Sequence, residues 1–206
     1  YREFLLEIGY LAPEGADFKA TTENVDDEIT SIPGPQLVVP VNNARYAINA
    51  AHARWGSLYD ALYGTDVIAE KTAVSVDGYD PSRGAKVVAY ANDFLDQFVP
   101  LDSISHSSVT AYSIQNGSLI AHTDNNQDHQ LSTPSQLRGF QGQPESPSVV
   151  LLKNNHLHIE IVIDRANQIG ASSRSGVCDI VLESAITVIQ DCEDSVAAVD
   201  GEDKVT

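Results

Sequence analysis

The end of the chain constrains its fold more than any other part. Residues 185–190 form an apolar run that is typical of a buried strand, and an acidic cluster follows at once. Enzymes with α/β folds place metal and substrate chemistry at the carboxyl ends of parallel strands. The sequence therefore predicts a functional site at the end of this strand. The cluster contains Asp191, Cys192, Glu193, Asp194 and Ser195.

A strand followed by a helix is predicted nearer the start of the chain. Residues 36–40 are typical of a short buried strand, and we expect one long helix over 42–63. Asn42 is expected to cap this helix, and Gly64 to end it. One face of the helix, including Trp55, is predicted to belong to the core because apolar residues recur at helical spacing. These residues are Ile48, Ala51, Trp55, Leu58 and Leu62.

The middle of the chain mixes helical and strand patterns. A helix is predicted over 80–99, where Asp80-Pro81 is a good start signal. The dipeptide Asn116-Gly117 predicts a tight hairpin between strands at 107–115 and 118–123. Further strands are expected at 149–152 and 157–163, a loop at 139–148, and short helices at 2–10 and 177–184. The whole pattern indicates an α/β protein with a sheet-rich middle.

The order of these elements suggests two barrel strands separated by an insert. The predicted fold class is α/β, with partial TIM-barrel elements plus a mixed, sheet-rich inserted α/β domain. The alternative is a single mixed α/β domain. We expect an N-terminal helical and linker segment at 1–35, the first barrel strand and helix at 36–65, the inserted domain at 66–183, and the second barrel strand with its acidic loop at 184–206.

The charge balance limits the partners that this chain can have. There are 12 basic and 29 acidic residues, which gives a net charge of -17. Because such a surface repels phosphate backbones and anionic lipids, we expect neither nucleic acid nor a membrane as partner. The two cysteines, Cys178 and Cys192, are too few for a disulfide framework. A reduced, cytoplasmic setting is therefore expected.

Long motifs in this sequence closely resemble malate synthase of the G type. The resemblance covers nearly the whole chain and is weakest over 100–148. The motifs are PQLVVP at 35–40, NARYA at 43–47, ARWGSLYDALYG at 53–64, LLKNN at 151–155, LHIE at 157–160 and DCEDSVAAVD at 191–200. The resemblance implies a TIM barrel with an N-terminal helical clasp, an inserted α/β domain and a C-terminal helical plug.

The resemblance also implies an activity and a set of binding residues. The family condenses acetyl-CoA with glyoxylate and water to give malate and CoA in the glyoxylate cycle, and it requires Mg²⁺. Acetyl-CoA contacts are implied for Val38, Arg45, Tyr46 and Ser195. The family's magnesium ligands, catalytic arginine and catalytic aspartate would lie beyond Thr206, so no catalytic residue is assigned. We expect a piece of a larger, monomeric enzyme that is inactive by itself and can self-associate.

Each candidate residue also has a simpler interpretation. Arg45 suits phosphate binding, because a guanidinium can donate two hydrogen bonds to one anion; alternatively, it is a helix-surface residue with a carboxylate partner. Asp191 and Glu193 are interpreted as acceptors for magnesium-bound waters, outside the metal's direct ligands. The alternative is a solvated acidic loop that caps the next helix. Cys192 is expected to be packed and unreactive, since neighbouring carboxylates oppose thiolate formation.

The remaining sequence signals for chemistry are weak. His156, His158 and Glu160 alternate onto one strand face, but the absence of a third strong ligand favours a solvated or interface face over a metal site. The glycines at 139 and 142 lack the spacing of a phosphate-binding loop, and no Ser-His-Asp arrangement is apparent. Two other functions stay open: a structural or interaction module built from 66–183, and an acyl-CoA lyase on the same barrel.

Overall fold

The computed structural model describes residues 1–13, 15–17, 19, 23–25, 30–31, 34–40, 43–69 and 79–191. No helix among these residues has both the length and the apolar character needed to cross a membrane. The elements in chain order are α1 (Arg2–Glu7), β1 (Gln36–Pro40), α2 (Ala44–His52), β2 (Trp55–Ser57), α3 (Leu58–Gly64), α4 (Pro81–Phe98), β3 (Ala111–Gln115), β4 (Ser118–His122), β5 (Asp128–Gln130), β6 (Leu137–Gln143), β7 (Ser146–Asn154), β8 (Leu157–Ile163), α5 (Gln168–Ser172), β9 (Val177–Glu183) and β10 (Thr187–Asp191).

The strands form three sheets. β1 and β10 pair in parallel as a two-stranded sheet. The second sheet has five antiparallel strands in the order β2-β9-β8-β7-β6, and the third has three antiparallel strands in the order β3-β4-β5. The described chain is therefore a mixed α/β structure dominated by antiparallel sheet.

The main hydrophobic core includes side chains from the five-stranded sheet and from α4. On the sheet, Val150, Ile161 and Ile180 lie side by side on β7, β8 and β9, and all three are fully buried. On α4, Val87, Ala91 and Leu95 recur every four residues, which places them on one buried face. The alternating pattern of β8 and the helical spacing of α4 thus supply residues to the same core.

Several predicted elements are confirmed by the structure. α4 spans Pro81–Phe98, and the Asp80 side chain caps it by accepting a hydrogen bond from the Ser82 amide at 2.8 Å. The hairpin β3–β4 turns through Asn116 and Gly117, whose φ angles are 50° and 77°. Both angles are positive, as the two-residue turn requires. The strands predicted at 36–40 and 157–163 are observed as β1 and β8.

The single long helix predicted over 42–63 is wrong. The chain instead forms α2, then strand β2, then α3. β2 leaves the helical path because it pairs with β9, with Trp55 opposite Glu183. Ser57 then begins α3, since its Oγ accepts from the Asp60 amide at 2.9 Å. Trp55 is 39% exposed, so its predicted place in a helix core is also wrong.

Two further predictions are corrected by strand pairing. The segment 177–184, expected to be a helix, is strand β9. It lies between β2 and β8 and forms an antiparallel ladder of hydrogen bonds with each of them. The loop expected at 139–148 is largely the hairpin β6–β7. Its glycine content reflects bulges rather than a loop: the register shifts between Gln141 and Gly142, where the φ of Gly142 is 89°.

A buried histidine joins the end of α4 to β3. His106 is 2% exposed, and its Nε2 lies 2.9 Å from the Val99 carbonyl oxygen. Because a carbonyl only accepts, Nε2 carries the proton, and Nδ1 accepts from the Tyr112 hydroxyl at 2.7 Å. Burial lowers the pKa of His106, although the Val99 carbonyl and the nearby Asp96 oppose that shift. The folded state therefore favours the neutral imidazole.

This histidine is expected to make stability depend on pH. The folded pKa lies below the unfolded value of about 6.5, so below that pH the unfolded state binds more protons. Stability should fall as the pH drops from 7.5 to 5.5, by up to about 1.4 kcal/mol for each pH unit below 6.5. Urea unfolding of the protein and of His106→Gln at both pH values measures this effect. The substitution should remove part of the pH dependence; an identical dependence in both proteins contradicts the assignment.

Candidate functional site

The parallel pair β1–β10 brings the two predicted site segments together. Their register places Val38 beside Ile189 and Pro40 beside Asp191, so both strands end at the same edge. The two chain segments already lie close together just before the strands begin. A side chain at Gly34 would overlap the backbone carbonyl of Ala185. A glycine is therefore required where the two segments first meet.

A backbone hydrogen bond joins the end of β1 to the residue that begins α2. The Asn43 amide donates to the Pro40 carbonyl at 3.4 Å, and the Asn43 side chain accepts from the Tyr46 amide at 3.3 Å. Asn43 is thus the N-cap of α2, one residue after the predicted cap Asn42, which lies outside the described residues. As a result, Arg45 and Tyr46 occupy the first turn of the helix, directly after the strand end.

Arg45 and Tyr46 form an exposed cation–aromatic pair. The guanidinium carbon of Arg45 lies 5.7 Å from the centre of the Tyr46 ring, which is within the range of a cation–π contact. Within the described ranges, no carboxylate forms an ion pair with Arg45. Both interpretations of Arg45, as a ligand-binding residue and as half of a surface ion pair, therefore stay open.

Val38 contributes an exposed apolar surface on β1. Its side chain is 57% exposed, while that of the next residue, Val39, is only 6% exposed. Successive side chains of a strand point to opposite faces. Because α2 packs against β1, the buried Val39 lies on the covered face of β1 and Val38 on the opposite face. Tyr46 and Ile48 of α2 are also exposed. Apolar side chains of this size in the open are typical of surfaces that contact a further element or a ligand.

The other predicted residues of this site are placed only in part. The backbone of Asp191 lies at the end of β10 beside Pro40, and its side chain is outside the described part. Cys192, Glu193 and Ser195 lie outside the described residues altogether. Among the residues that are described, no group of three or more His, Cys, Asp or Glu side chains could hold a metal ion.

Of the two histidines predicted to share a strand face, only His158 lies on β8, where it takes part in a salt bridge; His156 precedes the strand with a φ of 67°, so its predicted place on that face is wrong. His158 Nδ1 lies 2.7 Å from a Glu183 carboxylate oxygen, and the His158 amide donates to the same oxygen at 2.9 Å. The other Glu183 oxygen accepts from Arg54 at 3.1 Å. Burial raises the pKa of Glu183, but the hydrogen bonds and charges of His158 and Arg54 outweigh it and lower the pKa overall. Glu183 of β9 thus binds both His158 of β8 and Arg54, the residue before β2.

The structure also reveals a Ser-His-Asp arrangement that sequence reasoning missed. Ser113 Oγ lies 2.8 Å from His122 Nε2, and His122 Nδ1 lies 2.6 Å from Asp128 Oδ1. The three residues belong to β3, β4 and β5. His122 is directly opposite both Ala111 and Asp128 in the register, and Ser113 is two residues beyond Ala111 on the same face. Only the strand register could have predicted this contact.

Comparisons with known proteins relate the chain to one family. Residues 79–154 match the family model "Malate synthase G, alpha-beta insertion domain". Malate synthase G of Halalkalibacterium halodurans is 56% identical over 206 residues, covering 100% of this chain and 28% of that protein.

Two other relatives give the same result. Malate synthase G of Corynebacterium glutamicum is 53% identical over 205 residues, and that of Corynebacterium efficiens is 52% identical over 205 residues. Each match covers 99% of this chain, and 28% and 27% of the respective relative. The chain thus spans about 28% of the length of the curated relatives it matches. It belongs to the malate synthase G family, as a part of that protein that includes the alpha-beta insertion domain.

Proposed function

We propose that the chain is part of an enzyme that condenses acetyl-CoA with glyoxylate and water to give malate and CoA. The proposal takes its chemistry from the family, to which the chain is related over its whole length. The observation that carries it is the parallel pair β1–β10, which sets Pro40 and Asp191 at one edge with Arg45 just beyond. Carboxyl ends of parallel strands are where α/β enzymes bind substrates.

In this proposal, β1, α2 and β10 are elements of a TIM barrel and the middle of the chain is an insert. Parallel pairing of strands that are distant in sequence supports a barrel. The match to the insertion domain lies entirely between them. We keep the proposed division into 1–35, 36–65, 66–183 and 184–206.

The proposed acetyl-CoA contacts divide by chemistry. Arg45 donates hydrogen bonds to a phosphate group of the CoA moiety, and the Tyr46 ring orients its guanidinium. Val38 offers an apolar surface at the end of β1. Ser195, which lies outside the described residues, would donate or accept a hydrogen bond. None of these residues moves a proton in the reaction, so the chain alone is expected to be inactive.

Magnesium has a limited role in what this chain contributes. Mg²⁺ would supply a positive charge that polarises the glyoxylate oxygen. The described residues do not by themselves form a site for it, and we assign no step to a metal held by them. Asp191 and Glu193 are proposed as acceptors for metal-bound waters, which Mg²⁺ commonly retains. A monomeric enzyme in the cytoplasm is part of the same proposal.

Replacing Arg45 in the intact enzyme tests the proposed contact. Arg45→Ala should raise the KM for acetyl-CoA by about 10- to 100-fold, since a charged hydrogen bond contributes about 1.5–3 kcal/mol. The KM for glyoxylate should change little. Arg45→Lys should be intermediate, because an ammonium group keeps the charge without the planar fork. Steady-state kinetics with each substrate varied in turn measures these effects.

A matched control is available on the five-stranded sheet. Arg138 is an exposed arginine of β6, and Arg138→Ala should leave both KM values unchanged. If Arg45→Ala also leaves acetyl-CoA affinity unchanged, the structural or interaction module is favoured over the enzyme. Cleavage of a malyl-type thioester without net condensation would favour the acyl-CoA lyase.

A further inference from the structure

Ser113, His122 and Asp128 have the atomic connectivity of a nucleophile, a base and an orienting acid. The contacts run from Ser113 Oγ to His122 Nε2 at 2.8 Å, and from His122 Nδ1 to Asp128 Oδ1 at 2.6 Å. Such an arrangement is recognised by geometry rather than by the order of residues in the chain. We name these three residues the β3–β5 relay.

The hydrogen bonds fix the form of the histidine. A carboxylate only accepts hydrogen bonds, so His122 Nδ1 carries a hydrogen and donates a hydrogen bond to Asp128. The Nε2 lone pair then faces Ser113 Oγ and accepts a hydrogen bond from its hydroxyl. This is the tautomer in which an imidazole acts as general base on a serine. The opposite tautomer would leave Nε2 unable to take the proton.

A fourth group stands beside the serine oxygen. Gln115 Nε2 lies 3.3 Å from Ser113 Oγ, two residues further along β3 on the same face. The Gln115 amide donates a hydrogen bond to Ser113 Oγ itself, which helps to fix the position of the serine hydroxyl. The β3–β5 relay therefore supplies a nucleophile, a base and an orienting carboxylate, and Gln115 positions the nucleophile.

The surroundings hold these groups in a fixed geometry, in which the serine is buried and its two partners are partly open to solvent. Ser113 is 5% exposed, whereas the side chains of His122 and Asp128 are 32% and 55% exposed. The backbone carbonyl of His122 accepts from both the amide and the hydroxyl of Thr110, at 2.8 and 3.1 Å. Groups held by strand pairing are better preorganised than groups on loops.

We propose that the β3–β5 relay activates Ser113 as a nucleophile toward small activated acyl groups, such as acetyl esters and thioesters. Ser113 Oγ attacks the acyl carbonyl carbon while its proton passes to His122 Nε2. The bond to the leaving group then breaks, and the leaving group takes the proton from Nε2. An attacking water molecule repeats the sequence, releases the carboxylic acid and restores the hydroxyl of Ser113.

The test uses p-nitrophenyl acetate with the intact protein, in the absence of glyoxylate. The protein should release p-nitrophenolate, and mass spectrometry of the trapped protein should find an acetyl group on the peptide containing Ser113. Ser113→Ala should reduce release to the background rate. Asp128→Asn should reduce it at least about tenfold, because loss of the carboxylate favours the wrong histidine tautomer.

The controls separate catalysis from a structural role. Ser118 lies opposite Gln115 in the same hairpin, and Ser118→Ala should retain the full rate. Asp128 is exposed, so Asp128→Asn should melt within a few degrees of the parent. If Ser113→Ala retains the rate, or the acetyl group is found only on other residues, the proposal is overturned and the relay is a hydrogen-bond chain that holds the strand register. Neither result bears on the malate synthase assignment, which involves residues of a different sheet.

Discussion

Gly170→Ala is expected to lower the free energy of unfolding by about 3 kcal/mol. Gly170 lies in α5, between the end of β8 and the start of β9. A Cβ atom there would overlap the backbone carbonyl oxygen of Asp164 and lie 2.8 Å from that of Gly176. Both of these oxygens belong to the main chain, and the Asp164 amide donates a hydrogen bond to the Gly176 carbonyl. The backbone around Asp164 and Gly176 must therefore move apart to make room for the Cβ atom. Thermal unfolding should show a melting temperature lower by roughly 6–12 °C.

Gly84→Ala is the matched control for this prediction. A Cβ at Gly84 would meet only the hydroxyl end of Tyr79, a partly exposed side chain that can turn away. Gly84 lies inside α4, where alanine is favoured over glycine by about 1 kcal/mol. The two effects should nearly cancel, leaving stability within about 1 kcal/mol of the parent. Equal losses for the two substitutions would contradict the packing described for α5.

Arg83→Ala is expected to cost about 3 kcal/mol of unfolding free energy. The Arg83 side chain, at the start of α4, donates to four backbone carbonyls at and after the end of α3. The acceptors are the oxygens of Leu62 at 3.3 Å, Tyr63 at 2.8 Å, Thr65 at 2.6 Å and Ile68 at 3.0 Å. These include last-turn carbonyls that a helix leaves unsatisfied, where a positive charge also favours the helix dipole. Urea unfolding at neutral pH measures the loss.

Arg83→Lys distinguishes hydrogen-bond geometry from charge. A lysine keeps the positive charge but cannot reach four carbonyls with one ammonium group. It should recover less than half of the stability that Arg83→Ala loses. If lysine restores the parent stability, the contribution of Arg83 is electrostatic and the carbonyl contacts are secondary.

Local signals in the sequence predict the elements whose stabilising contacts are local. The cap Asp80 and the four-residue spacing of Val87 and Ala91 predict α4, and Asn116-Gly117 predicts the β3–β4 hairpin. In both cases the residues that decide the structure are neighbours in the chain. The alternation of β8 is equally local, since one face of the strand is buried.

Sequence patterns fail to predict the elements whose secondary structure depends on contacts with residues far away in the chain. β2 replaces the middle of a predicted helix because Ser57 donates to the Asp179 carboxylate at 2.9 Å, across 122 positions of sequence. β9 has an apolar run too short to distinguish strand from helix by periodicity. Its pairing with β2 and β8 determines the outcome. The residues next to β2 and β9 in the sequence therefore do not reveal these strand pairings.

The two candidate sites differ in the same way. The family resemblance names Val38, Arg45 and Tyr46, which lie in β1 and in the first turn of α2. Ser113, His122 and Asp128 carry no motif, and they meet because of the register of three strands. A short motif can therefore suggest the first set, which stays a prediction, but cannot suggest the second.

The most direct test of the central claim is glyoxylate-dependent release of CoA from acetyl-CoA. The proposal under test is that Val38, Arg45 and Tyr46 contact acetyl-CoA in a malate synthase whose proton-moving groups lie elsewhere in the intact protein. The intact protein should release free thiol only when both glyoxylate and Mg²⁺ are present, and the 206-residue chain alone should stay at background. Glyoxylate-dependent turnover by the isolated chain, or none by the intact protein, would contradict the account.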